Sequence, residues 1–370
     1  MKNQFLSIVV LAAAAGTALA GPFSAGNLVV YRAGDGSAAL GNSAAAGFLD
    51  EYTPTGTLVQ SIALPTSASG SNRRVTISGS ASSEGQLTRS SDGRYLAFVG
   101  YDAAPGTASV ATSTSATVNR VIARVGADGA VDSTTVTTAF SANAIRAAAT
   151  DDGSRFWVTG GTNGVQLAQY GVSNSALQLN TGAGASTNNR AVNIFNGQLY
   201  VSSASTSLRG VGAVGSGLPT TNGQATTLLA GTNVNTSSSA YDFAIVSSTL
   251  MYMADDSAVA GLGGLQRWEL ISGTWTRTQT WAPSNSGRIR QLVNTTTSTG
   301  ENLLYVTVVD ASNVTTIQSL VDVGSASSFN VVATGATNTA FRGIEFAPIP
   351  APGSLALLGL GGLVATRRRR

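Results

Sequence analysis

The 370-residue chain carries 21 Lys and Arg against 18 Asp and Glu, and it has neither histidine nor cysteine. Lys2 and Arg367 to Arg370 account for the whole positive excess, because the sixteen basic residues between them are all arginine and fall short of the acidic ones. These counts exclude disulfides, Ser-His-Asp and Cys-His nucleophilic schemes and the commonest zinc and copper ligands, and they leave a nucleic-acid partner without electrostatic support.

At the N-terminus, Lys2, the apolar run Phe5 to Ala15 and the exit Ala18-Leu19-Ala20 predict a secretory signal peptide over 1–20, cut before Gly21. Secretion machinery and signal peptidase are therefore expected partners. Charged residues make up only 11% of the chain. Alternating apolar positions with abundant Thr and Val nevertheless argue for strands rather than disorder.

Six segments share one design, a turn signal followed by a short apolar or aromatic strand: "GNLVVYRAGD", "DGRYLAFVGYD", "DGSRFWVTGG", "NGQLYVSSAS", "SSTLMYMADD" and "ENLLYVTVVD". With Leu28, Tyr95, Phe156, Leu199, Leu250 and Leu304 as anchors, the spacings are 67, 61, 43, 51 and 54 residues. Propeller blades run to roughly 40–50 residues each, so the pattern predicts an all-β propeller over 21–347. A second strand follows each anchor, among them "VNRVIARVGADG" and "GLQRWELISG". Innermost strands precede five of the anchors: "QLTRS", "AIRAAAT", "RAVNIF", "YDFAIV" and "RIRQLV". The sixth is "FRGIEFAP" at 341–348, which has no blade after it and is expected to pair with "NLVVYR" and close the ring. Six blades follow from this count, with "RRVTISG" at 73–79 leaving room for a seventh. A pair of β-sandwiches or a parallel β-helix competes, although the helix needs much shorter repeats. The small-residue stretches 66–83 and 103–117 read as surface loops.

Little in the chain suits catalysis. The one lysine lies in the signal peptide, which removes Schiff-base and Ser-Lys mechanisms. Asp102, Asp255, Asp256 and Asp310 follow equivalent strands and would suit paired acid–base work or Ca²⁺ if they met at one rim, but turn formation is the commoner use of such residues. Asp92, Asp151 and Asp152 read as turn residues. No catalytic residue, cofactor or metal ion is predicted. Arg89, Arg146, Arg190, Arg288, Arg290 and Arg342 all fall in proposed innermost strands, where they would line a channel able to hold a carboxylate or phosphate. Pairing with Asp242 and Glu345, or plain solvent exposure, is the alternative. Trp157, Trp268, Trp275 and Trp281 are expected in blade cores.

The chain ends "PAPGSLALLGLGGLVATRRRR". Pro350 and Pro352 hold an extended backbone, Ser354 to Thr366 form a short uncharged helix, and Arg367 to Arg370 are too costly to carry through lipid. A proline-marked turn, a Leu/Gly-rich helix and terminal arginines, on a chain with a leader, resemble the PEP-CTERM sorting signal of bacterial exosortase substrates. The resemblance covers 348–370 and departs from the family at Pro350-Ala351-Pro352, where the family has Pro-Glu-Pro. It implies a tail inserted in the inner membrane and processed by an exosortase-like enzyme. Together these readings describe an exported, envelope-sorted, non-catalytic surface or matrix protein whose propeller binds a partner such as an envelope polymer. An extracellular propeller lyase, phosphodiesterase or glycosidase working through carboxylate or arginine is the second reading.

Overall fold

A computed structural model describes residues 21–350, except 175, 181–185, 206–207, 234–236 and 260. Eight strands come first: β1 (Leu28–Ala33), β2 (Ala44–Tyr52), β3 (Leu58–Ala63), β4 (Thr76–Ser78), β5 (Thr88–Arg89), β6 (Tyr95–Tyr101), β7 (Arg120–Gly126) and β8 (Val131–Thr137). Four antiparallel sheets of four strands follow. They comprise β9 (Ile145–Ala149), β10 (Arg155–Gly160), β11 (Val165–Gln169) and β12 (Leu177–Gln178); β13 (Asn189–Phe195), β14 (Gln198–Ser203), β15 (Gly210–Val214) and β16 (Thr226–Leu228); β17 (Ala240–Ser247), β18 (Leu250–Asp255), β19 (Gly264–Ile271) and β20 (Thr274–Trp281); and β21 (Arg288–Thr296), β22 (Asn302–Val309), β23 (Thr315–Val321) and β24 (Asn330–Thr334). The last strand, β25 (Ala340–Phe346), returns to pair antiparallel with β1, Leu28 opposite Phe346, and joins the first eight in a nine-stranded sheet.

The architecture is all-β and propeller-like, and the expected closure by the two ends is present. The blade count differs from the sequence reading: four sheets stand as separate blades where six were expected. The cause is "RRVTISG". Its strand β4 pairs through Thr76–Ser78 with Ala44–Ala46 of β2, and through Thr76 with Tyr101 of β6. The Thr76 hydroxyl donates to the Tyr101 and Ala103 carbonyls at 3.2 and 3.0 Å. A segment that lay within the expected 66–83 loop and left room for a seventh blade instead welds the strands of the first two repeats into one sheet. Stretch 103–117 also departs from a plain surface loop, since Val110 is fully buried and its N–H donates to the Asn42 carbonyl at 3.2 Å.

Local chemistry explains the strand starts. Ahead of β6, Gly93 takes φ +76° while the Asp92 carboxylate accepts the Arg94 N–H at 3.1 Å, which turns the chain from β5 into β6. Between sheets, alternate apolar residues face one another, and Trp157, Phe98, Phe156 and Trp268 are buried there. The six strands β5, β9, β13, β17, β21 and β25 pack each against the next, and β25 packs back against β5. Among the described residues, helix is confined to short 3-10 turns such as Val110–Thr112 and Gly324–Ala326, and no helix is long and apolar enough to cross a membrane. The signal peptide expected at 1–20 and the sorting tail expected from Ala351 to Arg370 lie outside the described residues.

Candidate functional site

Each long strand of the inner ring breaks its pairing near its first residues. Register shifts bracket Arg146 in β9, Arg190 in β13, Tyr241 and Asp242 in β17, Arg290 in β21, and Arg342 with Gly343 in β25. Such bulges insert an extra residue, bend the strand and re-aim a side chain out of the two-residue alternation. Because the six strands form one ring, the five bulges gather four guanidiniums and a phenol at one end of it.

Tyr241 is the hub of this collar. Its ring lies 4.5 Å from the Arg190 guanidinium carbon and 4.7 Å from that of Arg290, both within cation–π range. Arg290 also pairs with Asp256. Arg146 donates to Asn188 Oδ1 at 2.7 Å and to the Asn189 carbonyl at 3.0 Å. Arg342 is 6% exposed and donates to the Gly79 carbonyl at 2.7 Å. The Nε–H groups of Arg146, Arg190, Arg290 and Arg342 are buried without a hydrogen-bond partner, as are those of Arg73, Arg120, Arg155, Arg209 and Arg267 elsewhere among the described residues. What sets the four apart is their convergence: bulged strands bring four guanidiniums to one end of the ring, an arrangement that suits acceptor oxygens. Mutual crowding shows in Arg146, whose pKa is pushed down to about 10 by burial first and by Arg190 second.

Two carboxyls are buried within the ring, and of these Glu84 lies against the cations. Glu84, just ahead of β5, is buried and accepts the Tyr101 hydroxyl at 2.5 Å and the Ser78 N–H at 3.2 Å. Burial outweighs these bonds and the nearby Arg342 and Arg146, raising its pKa to about 7. Asp242 accepts from Gln86 Nε2 at 2.8 Å, from the Phe243 N–H at 2.8 Å and from the Leu292 N–H at 3.0 Å, yet burial, with Glu345 adding to it, raises its pKa to about 7 as well. The Gln86 amide oxygen accepts the Val192 N–H at 3.1 Å, so Gln86 and Asp242 tie β13, β17 and β21 together across the ring. Beside the collar opens a cleft of about 1150 Å³, lined among others by Ser80, Ser82, Arg288, Arg290, Asp310 and Arg342.

Of the arginines singled out from sequence, Arg146, Arg190, Arg290 and Arg342 converge. Arg288 is exposed on the cleft wall. Arg89 is exposed near Glu345, three residues past Arg342 on β25 and apart from the collar. The carboxylates do not converge: Asp102 pairs with Arg74 at 2.7 Å, Asp255 accepts the Ser238 hydroxyl at 2.5 Å and the Ser257 N–H at 2.9 Å, and Asp310 accepts the Ser312 and Val314 N–H groups at 2.8 and 2.9 Å. Asp152 accepts the Ser154 N–H at 2.8 Å and Asp151 pairs with Arg155 at 2.7 Å, both within their turn. No group of three metal-binding side chains occurs among the described residues. The four tryptophans are buried, with Trp157 donating to the Pro219 carbonyl at 2.8 Å. Sequence reading missed Glu84, Gln86 and Tyr241. Only the placement of Gln86 and Tyr241 in proposed inner strands pointed toward them.

No family model and no curated protein matches the chain. Among solved structures it is similar to a protein from Bacteroides uniformis provisionally assigned as a 6-phosphogluconolactonase, at 11% identity and a TM-score of 0.46, over 84% of this chain and 83% of that one. It is also similar to the extracellular domain of a provisionally assigned one-component system from B. thetaiotaomicron, at 12% identity and a TM-score of 0.40, over 90% of this chain. The match spans 40% of that longer protein.

Proposed function

We propose that the chain is an exported, envelope-sorted binding protein without a catalytic role, whose arginine collar holds a carboxylate or phosphate group of an envelope or matrix partner. The observation that carries this is the convergence of Arg146, Arg190, Arg290 and Arg342, re-aimed by strand bulges, at one end of the ring. An oxyanion fits them, because an arginine edge meets two oxygens at once. On the same reading the nine-stranded sheet counts as two blades, β25-β1-β2-β3 and β5-β6-β7-β8, joined by β4, so that the ring is six-fold. The leader at Ala18, Ala20 and Gly21, the tail turn Pro350-Ala351-Pro352 and the stop Arg367, Arg368, Arg369 and Arg370 supply export and an inner-membrane intermediate.

The test is calorimetric titration of the protein purified from producing cells with sulfate and with a polyuronate. Arg190→Ala weakens binding by at least about tenfold, the scale of a lost charged hydrogen bond. Binding that is equally tight in wild type and variant overturns the proposal. Glu84 supports the second reading, an enzyme, because a carboxyl titrating at about 7 suits proton transfer. Turnover of the bound polyuronate that disappears in Glu84→Gln would establish that reading instead.

A further inference from the structure

We propose that Glu84 makes anion binding at the arginine collar proton-linked: the site takes up a proton on Glu84 when it takes up an anion, and it binds anions more tightly as the solution is acidified. The inference rests on the collar being an anion site.

Geometry supplies the coupling. Glu84 is 2% exposed and lies among groups from five strands: Tyr31 of β1, Tyr101 of β6, Arg120 of β7, Arg146 of β9 and Arg342 of β25. Each of the three arginines already donates to neutral acceptors. Arg120 bonds the Val118, Ser113 and Asn143 carbonyls at 2.6, 2.7 and 3.0 Å, Arg146 bonds Asn188 and Asn189, and Arg342 bonds Gly79. Glu84 itself is held by a hydroxyl and a backbone N–H, so its charge is balanced only through space. An anion seated on Arg146 and Arg342 therefore meets Glu84 as a like charge behind the same two cations. In a buried setting that repulsion is weakly screened, and it is relieved when Glu84 takes a proton.

The pKa of about 7 places the change within an accessible range. Linkage fixes the sign: a bound anion favours the neutral carboxyl, so binding and protonation reinforce each other. Asp242 titrates in the same range, but its carboxylate is bound to Gln86 and to the Phe243 and Leu292 N–H groups. It serves as the internal control.

Sulfate is the probe, because its own charge is constant over the range, and its affinity for the full protein is measured by calorimetry from about pH 5.5 to about pH 8.5 at fixed ionic strength. The expected result is a loss of at least about fivefold on the alkaline side, the lower end of ordinary site-to-site coupling. In Glu84→Gln the profile becomes flat at the acid-side affinity. In Tyr101→Phe, which removes a donor that favours the charged carboxylate, the inflection moves to higher pH. That second variant keeps the test open if Glu84→Gln folds poorly. A flat profile in the wild type overturns the proposal and leaves the anion site standing, as does a profile that persists in Glu84→Gln and vanishes in Asp242→Asn. Absence of sulfate binding at every pH overturns both.

Discussion

Arg190 and Arg342 belong to one collar but answer differently to mutation. Arg190 rests on the Tyr241 ring, and its loss removes a cation from the site while leaving backbone acceptors untouched. Arg342 is buried and satisfies the Gly79 carbonyl, so Arg342→Ala strands an acceptor and opens a void. A buried group left unsatisfied costs about 1–3 kcal/mol. Arg342→Ala is expected to lower the melting temperature by several degrees, whereas Arg190→Ala leaves it within a degree or two; thermal unfolding of the two variants side by side checks this. Burial thus gives Arg342 a part in stability that Arg190, in the same collar, does not share. A second residue-scale consequence concerns pH. Glu84 and Asp242 have ordinary values of 4.5 and 3.8, and burial raises both to about 7 in the fold. The folded chain therefore holds more protons than the unfolded one between those limits. The stability that this gives is fully present below the unfolded values and is lost as pH rises through about 7. The melting temperature is expected to fall across that interval, and Asp242→Asn, which keeps an oxygen acceptor, should flatten part of the decline.

At the scale of elements, what the sequence makes legible is the period and what it hides is the register. Segments "AIRAAAT", "RAVNIF", "YDFAIV", "RIRQLV" and "FRGIEF" all lie in inner strands, because apolar residues and turn signals mark a strand whatever its partner. A bulge is an extra residue relative to the neighbouring strand, so it is visible only when both strands are aligned in space. Arg146 and Arg190 consequently stand out as arginines in inner strands, but not as residues turned to one point. Glu84 left no signal, since it precedes a strand of two residues and sits in a glycine- and serine-rich run. Nor does the joining of the first two repeats show in "RRVTISG", where three paired residues decide the topology. One bulge offers a direct test. A Cβ on Gly343 would come within 2.3 Å of the Leu87 N and 2.4 Å of the Gly85 carbonyl oxygen, both backbone atoms that cannot rotate aside. Gly343→Ala must push β25 away from the segment that carries Glu84. Overpacking of this kind costs about 1–3 kcal/mol. Denaturant unfolding is expected to report that loss, with sulfate affinity falling in the same variant, since Arg342 is its neighbour.

For the whole molecule, closure and orientation are linked. Strand β25 enters the ring at Arg342 and leaves it at Phe346, roughly 13 Å further along at an extended rise of about 3.3 Å per residue. There the Ala347 N–H donates to the Asn27 carbonyl and the Ile349 N–H to the Gly93 carbonyl, at 2.8 and 2.9 Å. The Phe23 N–H donates to the Ala127 carbonyl at 2.8 Å, so the two described ends of the chain leave together from the side opposite the collar. If the tail holds the protein to a bilayer, as proposed above, the collar and its cleft point away from that surface and the Gly93 turn points toward it. The absence of cysteine makes this measurable, because any introduced thiol is unique. Thr337→Cys lies exposed in the cleft wall and Ser91→Cys lies exposed beside the Gly93 turn. A bulky, membrane-impermeant maleimide is expected to label Thr337→Cys equally fast in cell envelopes and after detergent release. Labelling of Ser91→Cys should be slowed in envelopes and restored by detergent. Equal rates at both positions in both states would show that no surface shields the exit side, and the reverse pattern would place the collar against the membrane, where it could not receive a partner from outside.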